Sequence, residues 1–455
     1  MNAPSAPPAR STVTLRSVFA IALPMTLAHA TTPLIGITDM AVIGQLGSAA
    51  LIGAVALGAL LFSVIGGTLN FLRMGTTGLV AQALGAGNKA AEAAALWRAL
   101  IVALLLGAII VVLQEPVLWL FLLAMDPSAE VARGTAQYWS VRVWATPFML
   151  GSYAILGWLL GLGRARTGLA LQLLLSVINI IGSLVLVLVF ELDVFGVAAA
   201  SVAAEAAMFA AGTVIVARSL AHTPRPSFAA ILERAGVVRT LVVNRDIFIR
   251  SVLVLLGFSF FSAVGARYGD LILAANAVLM NLFLLSTHVL DGLATAAEQL
   301  GGRAVGARDR AAFRKTVKLT VVAGTVIGMA LCLFWLLAGP PAIALITSAQ
   351  DVQALAGRYL PWVAVSALTG VVAFVMDGLY IGATWTRTMR DMMLASTLVF
   401  IGAWWVFAPH FGNDALWFAL NLWLLLRGVT LFAFLPRQVR ATFPDQTRDR
   451  ASVVS

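Results

Sequence analysis

The chain of 455 residues holds one cysteine, four histidines and only 11% charged residues. Single Cys332 excludes an internal disulfide and a cysteine-held metal cluster. No Walker A sequence, GxGxxG fingerprint or HExxH pair occurs. The usual cradles for nucleotide phosphates and the helical zinc site are therefore missing, which argues against ATP-driven work and against an enzyme. His29, His222, His288 and His410 lie far apart in sequence. Of these, His288 falls within an apolar run, where it either shuttles protons or is simply packed. No metal or cofactor is expected, other than a transported coupling ion.

The chain is rich in apolar residues, 61% hydrophobic with mean hydropathy +0.96. A single soluble core stops growing near roughly 250–300 residues, so this much apolar surface needs a bilayer. Runs of about 20 apolar residues suit membrane-spanning helices. They fall near 17–43, 50–75, 94–114, 137–161, 168–190, 195–217, 248–268, 272–297, 316–338, 358–382, 391–408 and 414–435. The second and eighth have room to run longer. The polar, proline-rich start MNAPSAPPAR leads straight into the first run with no short h-region and cleavage site, so that helix is read as retained.

Alternate connections differ in charge. One set carries Lys89, Arg98, Arg164, Arg166, Arg308, Arg310, Arg314, Lys315, Arg437 and Arg440, with Arg10 and Arg225. The other carries Arg133, Arg267 and Arg358 among Glu115, Asp126, Asp193, Asp351 and Asp414. The positive-inside rule places the first set, and with it both termini, in the cytoplasm. The net charge of +10 thus reflects membrane topology and not nucleic-acid binding.

The two halves repeat. LGAGNKAA at 84–91 matches VGARDRAA at 305–312, which sets a fixed register between them. The same register pairs Tyr138 with Tyr359, Gly157 with Gly378, Gly161 with Gly382, Arg166-Thr167 with Arg387-Thr388, and Asp193 with Asp414. One register held from the second helix to the sixth marks two copies of a six-helix unit. Six is even, so the copies enter the membrane from the same side and form a parallel repeat, with a substrate path expected between the halves. The expected division is 1–217 as an N-terminal lobe, 218–247 as a basic cytoplasmic linker, and 248–455 as a C-terminal lobe. The expected fold is an all-α integral membrane protein of twelve transmembrane helices in two pseudo-symmetric six-helix lobes.

One stretch carries the clearest chemical signal: LPMTLAHATTPLIGITDMAVIGQLG, residues 23–47. Asp39 sits there with no lysine or arginine within a turn or two. A charge in hydrocarbon costs at least roughly 2.5–3.5 kcal/mol, so Asp39 must face protein or water, or carry a proton. The alternative is an aspartate at the membrane–water interface. Pro24 and Pro33 each remove a backbone donor and are expected to bend this helix.

PLIGITDMAVIGQLG, GLVAQALGAGN, NRDIFIR and AANAVLMN with LDGLATAAEQLGGRAVGARDR resemble the multidrug and toxic compound extrusion (MATE) family, and within it a DinF-like branch. The resemblance spans nearly the whole chain. It implies two lobes around a central cavity and export of cationic or amphipathic compounds driven by inward protons or sodium. It also implies a cation-coupling site in the N-terminal lobe, where Asp39, Asn179 and Ser201 match family positions. Ser183 stands where prokaryotic relatives commonly carry a second carboxylate. A hard cation seeks several oxygens and compensating negative charge. A lone acid in a low-dielectric pocket takes up a proton more readily, so proton coupling is expected, with sodium as the alternative. The repeat places Phe260 opposite Asp39, so the acid has no counterpart in the second half.

Other polar groups lie at membrane depth. Asp377 is either a second coupling acid, as in some branches of that family, or the partner of Arg427. Glu205 is either part of the N-lobe site or the partner of Arg142. Arg73 with Asp291 or Glu298 forms a possible cytoplasmic latch; interfacial snorkelling is the alternative. Met25, Met40, Phe62, Phe260, Met280 and Phe283 are candidates to line the cavity, because Met is adaptable and aromatic faces attract organic cations. Packing is the rival role for each. The expected partners are small cationic or amphipathic substrates and membrane lipid, with no nucleic acid and no obligate protein partner. The expected place is a bacterial inner membrane. Competing readings are a flippase for lipids or lipid-linked glycans and a membrane protein that binds a ligand without moving it.

Overall fold

The computed structural model describes residues 13–221 and 226–444. Arg10, His222, Arg225 and the residues after Pro444 lie outside these. Among the described residues, twelve helices are long and apolar enough to cross a membrane. They are α1 Leu15–Gly44, α2 Ala49–Gly85, α3 Lys89–Val112, α4 Ala129–Gly161, α5 Ala165–Leu188 and α6 Asp193–Leu220. The second six are α7 Phe228–Arg267, α8 Asp270–Gly306, α9 Arg310–Ile346, α10 Gln350–Gly382, α11 Thr386–Phe411 and α12 Asn413–Thr442. Each apolar run of the sequence corresponds to one of them. Most are longer than the run, α2 and α8 especially, because their polar ends stay helical. Only a helix or a closed barrel satisfies its own backbone in hydrocarbon, and here every span is helical.

Two local departures have visible causes. A further helix, Gln114–Met125, follows α3 after a break at Leu113. Pro116 offers no N–H and crowds the carbonyl four residues back, which interrupts the ladder there. The stretch 218–247, expected as a linker, is helical over most of its described length. α6 runs to Leu220, and α7 comprises Phe228–Ile231 and Arg234–Arg267. Ser227 Oγ caps the first piece by accepting from Ala230 N at 3.2 Å.

Contacts divide the chain into two units. Among the described residues, the first holds Leu27–Val80 and Asn88–Asn244; the second holds 13–26, Ala81–Gly87 and 245–444. The division therefore falls inside α7, and the start of α1 and the end of α2 pack with the second unit. α1 is one continuous helix through Pro24 and Pro33, and it passes from one unit to the other between them. In the second unit its early part lies on α8. Thr26 Oγ1 donates to Val289 O at 3.4 Å, and a Cβ on Gly292 would strike Ala22 O.

The sequence repeat is written into the helix ends. Its register links Ala49 to Asp270, Gly85 to Gly306, and Gly161 to Gly382 as helix boundaries. The turns between match too. Gly87 and Arg308 both have positive φ, +68° and +53°, and the next residues cap the following helices. Asn88 Oδ1 accepts from Ala91 N, and Asp309 Oδ1 from Ala312 N, both at 2.9 Å. The matched motifs LGAGNKAA and VGARDRAA are thus the same turn and cap, built twice.

The paired glycines explain the core of each unit. Gly157 and Gly161 of α4 lie on the backbone of α2, where an added Cβ would meet Arg73 O and Thr77 O. Gly378 and Gly382 of α10 lie on α8 in the same way, against Ala294 O and Glu298 O. Small residues four apart let membrane helices approach to backbone contact. Accordingly α4 and α10 are the most buried spans, 78% and 61% over their apolar windows. Gly378→Ala is expected to lower stability by roughly 1–3 kcal/mol through overpacking. Gly402, with nothing within 4 Å of an added Cβ, should accept Ala nearly neutrally. Thermal unfolding of the two variants in detergent checks this; equal melting would remove the crossing as the cause.

Candidate functional site

In the first unit, polar side chains from α1, α4, α5 and α6 meet inside an apolar shell. Asp39 is 6% exposed, Asn179 and Ser201 2%, and Ser183 is fully buried. Ser183 Oγ donates to Asp39 Oδ1 at 2.7 Å, and Asn179 Nδ2 donates to Ser201 Oγ at 2.8 Å. Asn179 and Ser183 are one turn apart on α5, so both face the same way. Asn179 Oδ1 is buried with no donor among the described residues. The four residues expected as a coupling site are thus gathered into one cluster. It is polar and incompletely satisfied, a state that buried acceptors rarely hold without a purpose.

Tyr138 of α4 belongs to this cluster and was visible in the sequence only as a member of the repeat. It is 2% exposed and interacts with Ser201, Arg142 and Asp39. Arg142, one turn further along α4, lies with its guanidinium 3.6 Å over the Phe62 ring. From there it acts electrostatically on both Asp39 and Glu205. No ion pair within 4 Å joins Arg142 to Glu205 among the described residues, so the guanidinium is held by the ring and shared between two acids. A desolvated cation on an aromatic face is worth about 2 kcal/mol, which helps to offset its burial. Phe62 thus serves as a seat for Arg142.

The second unit holds a different arrangement. Asp377 of α10 accepts from Arg427 Nη2 of α12 at 2.7 Å, and from Arg250 Nη2 of α7. Asp377 and Arg427 are 4% and 3% exposed. The sequence suggested Arg427 as partner but not Arg250, which sits at the start of an apolar run and reads as a flanking charge. Asp291 of α8 also acts on Arg427. Arg73 belongs to the first unit, where its Nε donates to Asn70 Oδ1 at 3.0 Å, while Asp291 and Glu298 belong to the second.

A further acid, Asp246, is buried one turn before Arg250 on α7. It accepts from Arg390 Nη1 at 2.8 Å, Arg245 Nη2 at 2.9 Å and Thr386 Oγ1 at 3.2 Å, which ties α7 to α11. The motif NRDIFIR carried no assigned role in the sequence. Its aspartate is an anchor, and the spacing of Thr386 and Arg390, one helical turn, was the available signal. The aromatic candidates Phe260 and Phe283 pack in the second unit: Phe260 against Phe400 and Trp404, and Phe283 against Phe258. Met280 borders the same core; Met25 is 2% exposed, and Met40 borders the core beside Tyr138.

The two acids should respond differently to neutralisation. Asp377→Asn leaves two buried arginines facing each other and is expected to destabilise by about 3–5 kcal/mol. Asp39→Asn keeps the size of a side chain held by one hydroxyl and should fold normally. Expression level and detergent melting temperature read this. Wild-type stability in Asp377→Asn would return Asp377 to the coupling role.

The comparisons agree with this architecture. The MatE family model matches residues 24–185 and 247–405, one segment in each copy of the repeat. The chain is 37% identical to DNA damage-inducible protein F of Escherichia coli (strain K12) over 428 residues, covering 93% of each. A multidrug resistance MATE family transporter of the MOP superfamily, solved in an outward-facing conformation, aligns with TM-score 0.87 at 17% identity over 95% of this chain and 97% of that one. A MOP superfamily transporter from Pyrococcus furiosus, described as having a binding pocket of reverse polarity, aligns with TM-score 0.84 at 17% identity over 95% and 97%. With both halves matched and a relative this similar over almost its full length, the chain belongs to the MATE family of multi-pass membrane transporters.

Proposed function

We propose that the protein is a secondary antiporter that exports cationic or amphipathic organic compounds in exchange for protons, with sodium as the alternative ion. One observation carries the reading. Asp39 is buried, held by a single hydroxyl, and accompanied by Asn179 Oδ1, an acceptor with no donor among the described residues. Such a cluster has room for one more positive charge, whether a proton or a small cation. Protonation removes the charge of Asp39 and turns its carboxyl into a donor, which neighbouring oxygens can accept. A bound organic cation and a proton then compete for one acid. Exchange follows if the protein changes access only when one of them is bound.

Ser183 in place of a second acid supports the proton. One carboxylate with neutral oxygens from Asn179, Ser183 and Ser201 compensates a sodium ion less well than two carboxylates would. α1 supports the link to movement, because it carries Asp39 in one unit and lies on α8 in the other. The charge asymmetry of the connections supports cytoplasmic placement of the basic ends, in a bacterial inner membrane.

The test uses purified protein in proteoliposomes with a fluorescent organic cation, under an imposed pH gradient or sodium gradient. Wild type should transport with the pH gradient, and Asp39→Asn should lose at least about tenfold, the scale of a removed charge interaction. Transport driven by sodium alone would replace the proton by that ion. Absence of organic-cation transport under either gradient would favour a lipid or lipid-linked substrate.

A further inference from the structure

The first turns of α9 and the last turns of α12 enclose a pocket of about 280 Å³. α9 and α12 each pack on α10, which leaves a crevice between them at this end. Arg310, Arg314 and Arg440 line it together with an apolar wall that includes Phe313, Leu435 and Val439. Phe313 is fully buried, and Leu435 and Val439 are 8% and 7% exposed. Arg314 and Arg440 are exposed and in no ion pair among the described residues. None of the lining residues is acidic. One turn back along α12, Phe432 is 50% exposed and extends the apolar wall along a membrane-spanning helix.

We propose that this pocket binds an anionic phospholipid. Guanidinium groups match a phosphate diester in charge and geometry. The apolar wall below suits the glycerol end of an acyl chain. Basic pockets between membrane helices on the cytoplasmic side are where anionic headgroups gain most. A soluble anion would use the arginines but not the wall. A zwitterionic lipid would bring an ammonium group to a site that offers it no acid.

The fold alone does not require the pocket. In the register of the repeat the first copy places Glu92 where the second has Phe313, Ala93 where it has Arg314, and Ser219 where it has Arg440. The acid at position 92 would repel the ligand that the arginines attract. The proposal rests on the membrane-spanning architecture and not on the coupling mechanism, so failure of either leaves the other standing.

The test is native mass spectrometry of the full-length protein. It is released from nanodiscs containing equal amounts of dioleoyl-phosphatidylglycerol and dioleoyl-phosphatidylethanolamine. Wild type should retain the glycerol lipid preferentially. The double variant Arg314→Gln/Arg440→Gln should lose that preference by about tenfold or more, given roughly one factor of five per interfacial charge. The control Lys318→Gln/Arg437→Gln removes two charges from the same helices outside the pocket and should keep the preference. Equal retention of both lipids by wild type would overturn the proposal. So would an undiminished preference in the pocket variant, or an equal loss in the control. A photo-crosslinking amino acid at Val439 should capture lipid; capture of the chain's own residues 445–455 would assign the pocket to the tail and also overturn it.

Discussion

Hydrocarbon gives a charge nothing to bind, so each charged group within a membrane span has to find its counterpart inside the protein. The two units meet this constraint in opposite ways. In the second, Asp377 lies between Arg250 and Arg427, and its charge is balanced whatever else is present. In the first, Asp39 receives one hydroxyl, while Arg142, which acts on both Asp39 and Glu205, lies on the Phe62 ring. An ion cluster of this kind is a strut, since removing either sign exposes the other. An acid left short of donors is responsive, since adding one proton or cation completes it. The two copies of one repeat therefore hold their buried acids differently, one between two arginines and the other beside a single hydroxyl.

That division shows what the duplication kept. Positions that decide how helices cross were retained in both copies: Gly157 and Gly161 on α2, Gly378 and Gly382 on α8, and the turn and cap at Asn88 and Asp309. The buried charges within the spans were not. In the register of the repeat Asp39 faces Phe260, Arg142 faces Val363 and Glu205 faces Leu426, while Arg250, Asp377 and Arg427 face His29, Leu156 and Ala206. A glycine at a backbone crossing has no substitute, because any Cβ collides with a carbonyl in either copy. A buried charge is costly in both copies, and it persists only where a partner arose with it.

The same distinction sets what the sequence could reveal. Helix number, the repeat and the glycine pairs were legible, since hydropathy and register are one-dimensional signals. Asp39 was legible for a similar reason: an acid without a nearby base stands out in an apolar run. Arg250 was not, because an arginine near the start of such a run looks like an ordinary flank. Its role depends on α10 and α12, which lie far along the chain. Asp246 and Tyr138 were hidden in the same way, one inside a motif and the other inside a repeat match. The expected linker is largely helical, since Arg234 begins a helix that runs unbroken to Arg267, and its basic composition carried no sign of that.

α1 has a consequence for how a responsive acid reaches the rest of the molecule. Among the helices of the Asp39 cluster, α1 is the only one that supplies an acid and also belongs to both units. Its early residues are fixed on α8 by the close approach of Gly292 to Ala22 O and by the Thr26 hydroxyl. Its later residues are held by the Asp39–Ser183 hydrogen bond and by Val42 and Ile43, which are buried against Val55, Tyr138 and Val187. Pro24 and Pro33 lie on either side of the change of unit, each removing a backbone donor. The stretch between the prolines joins two packed ends of one helix, and only the later end carries an acid. A change at Asp39 therefore falls on the helix that both units share, six residues beyond Pro33.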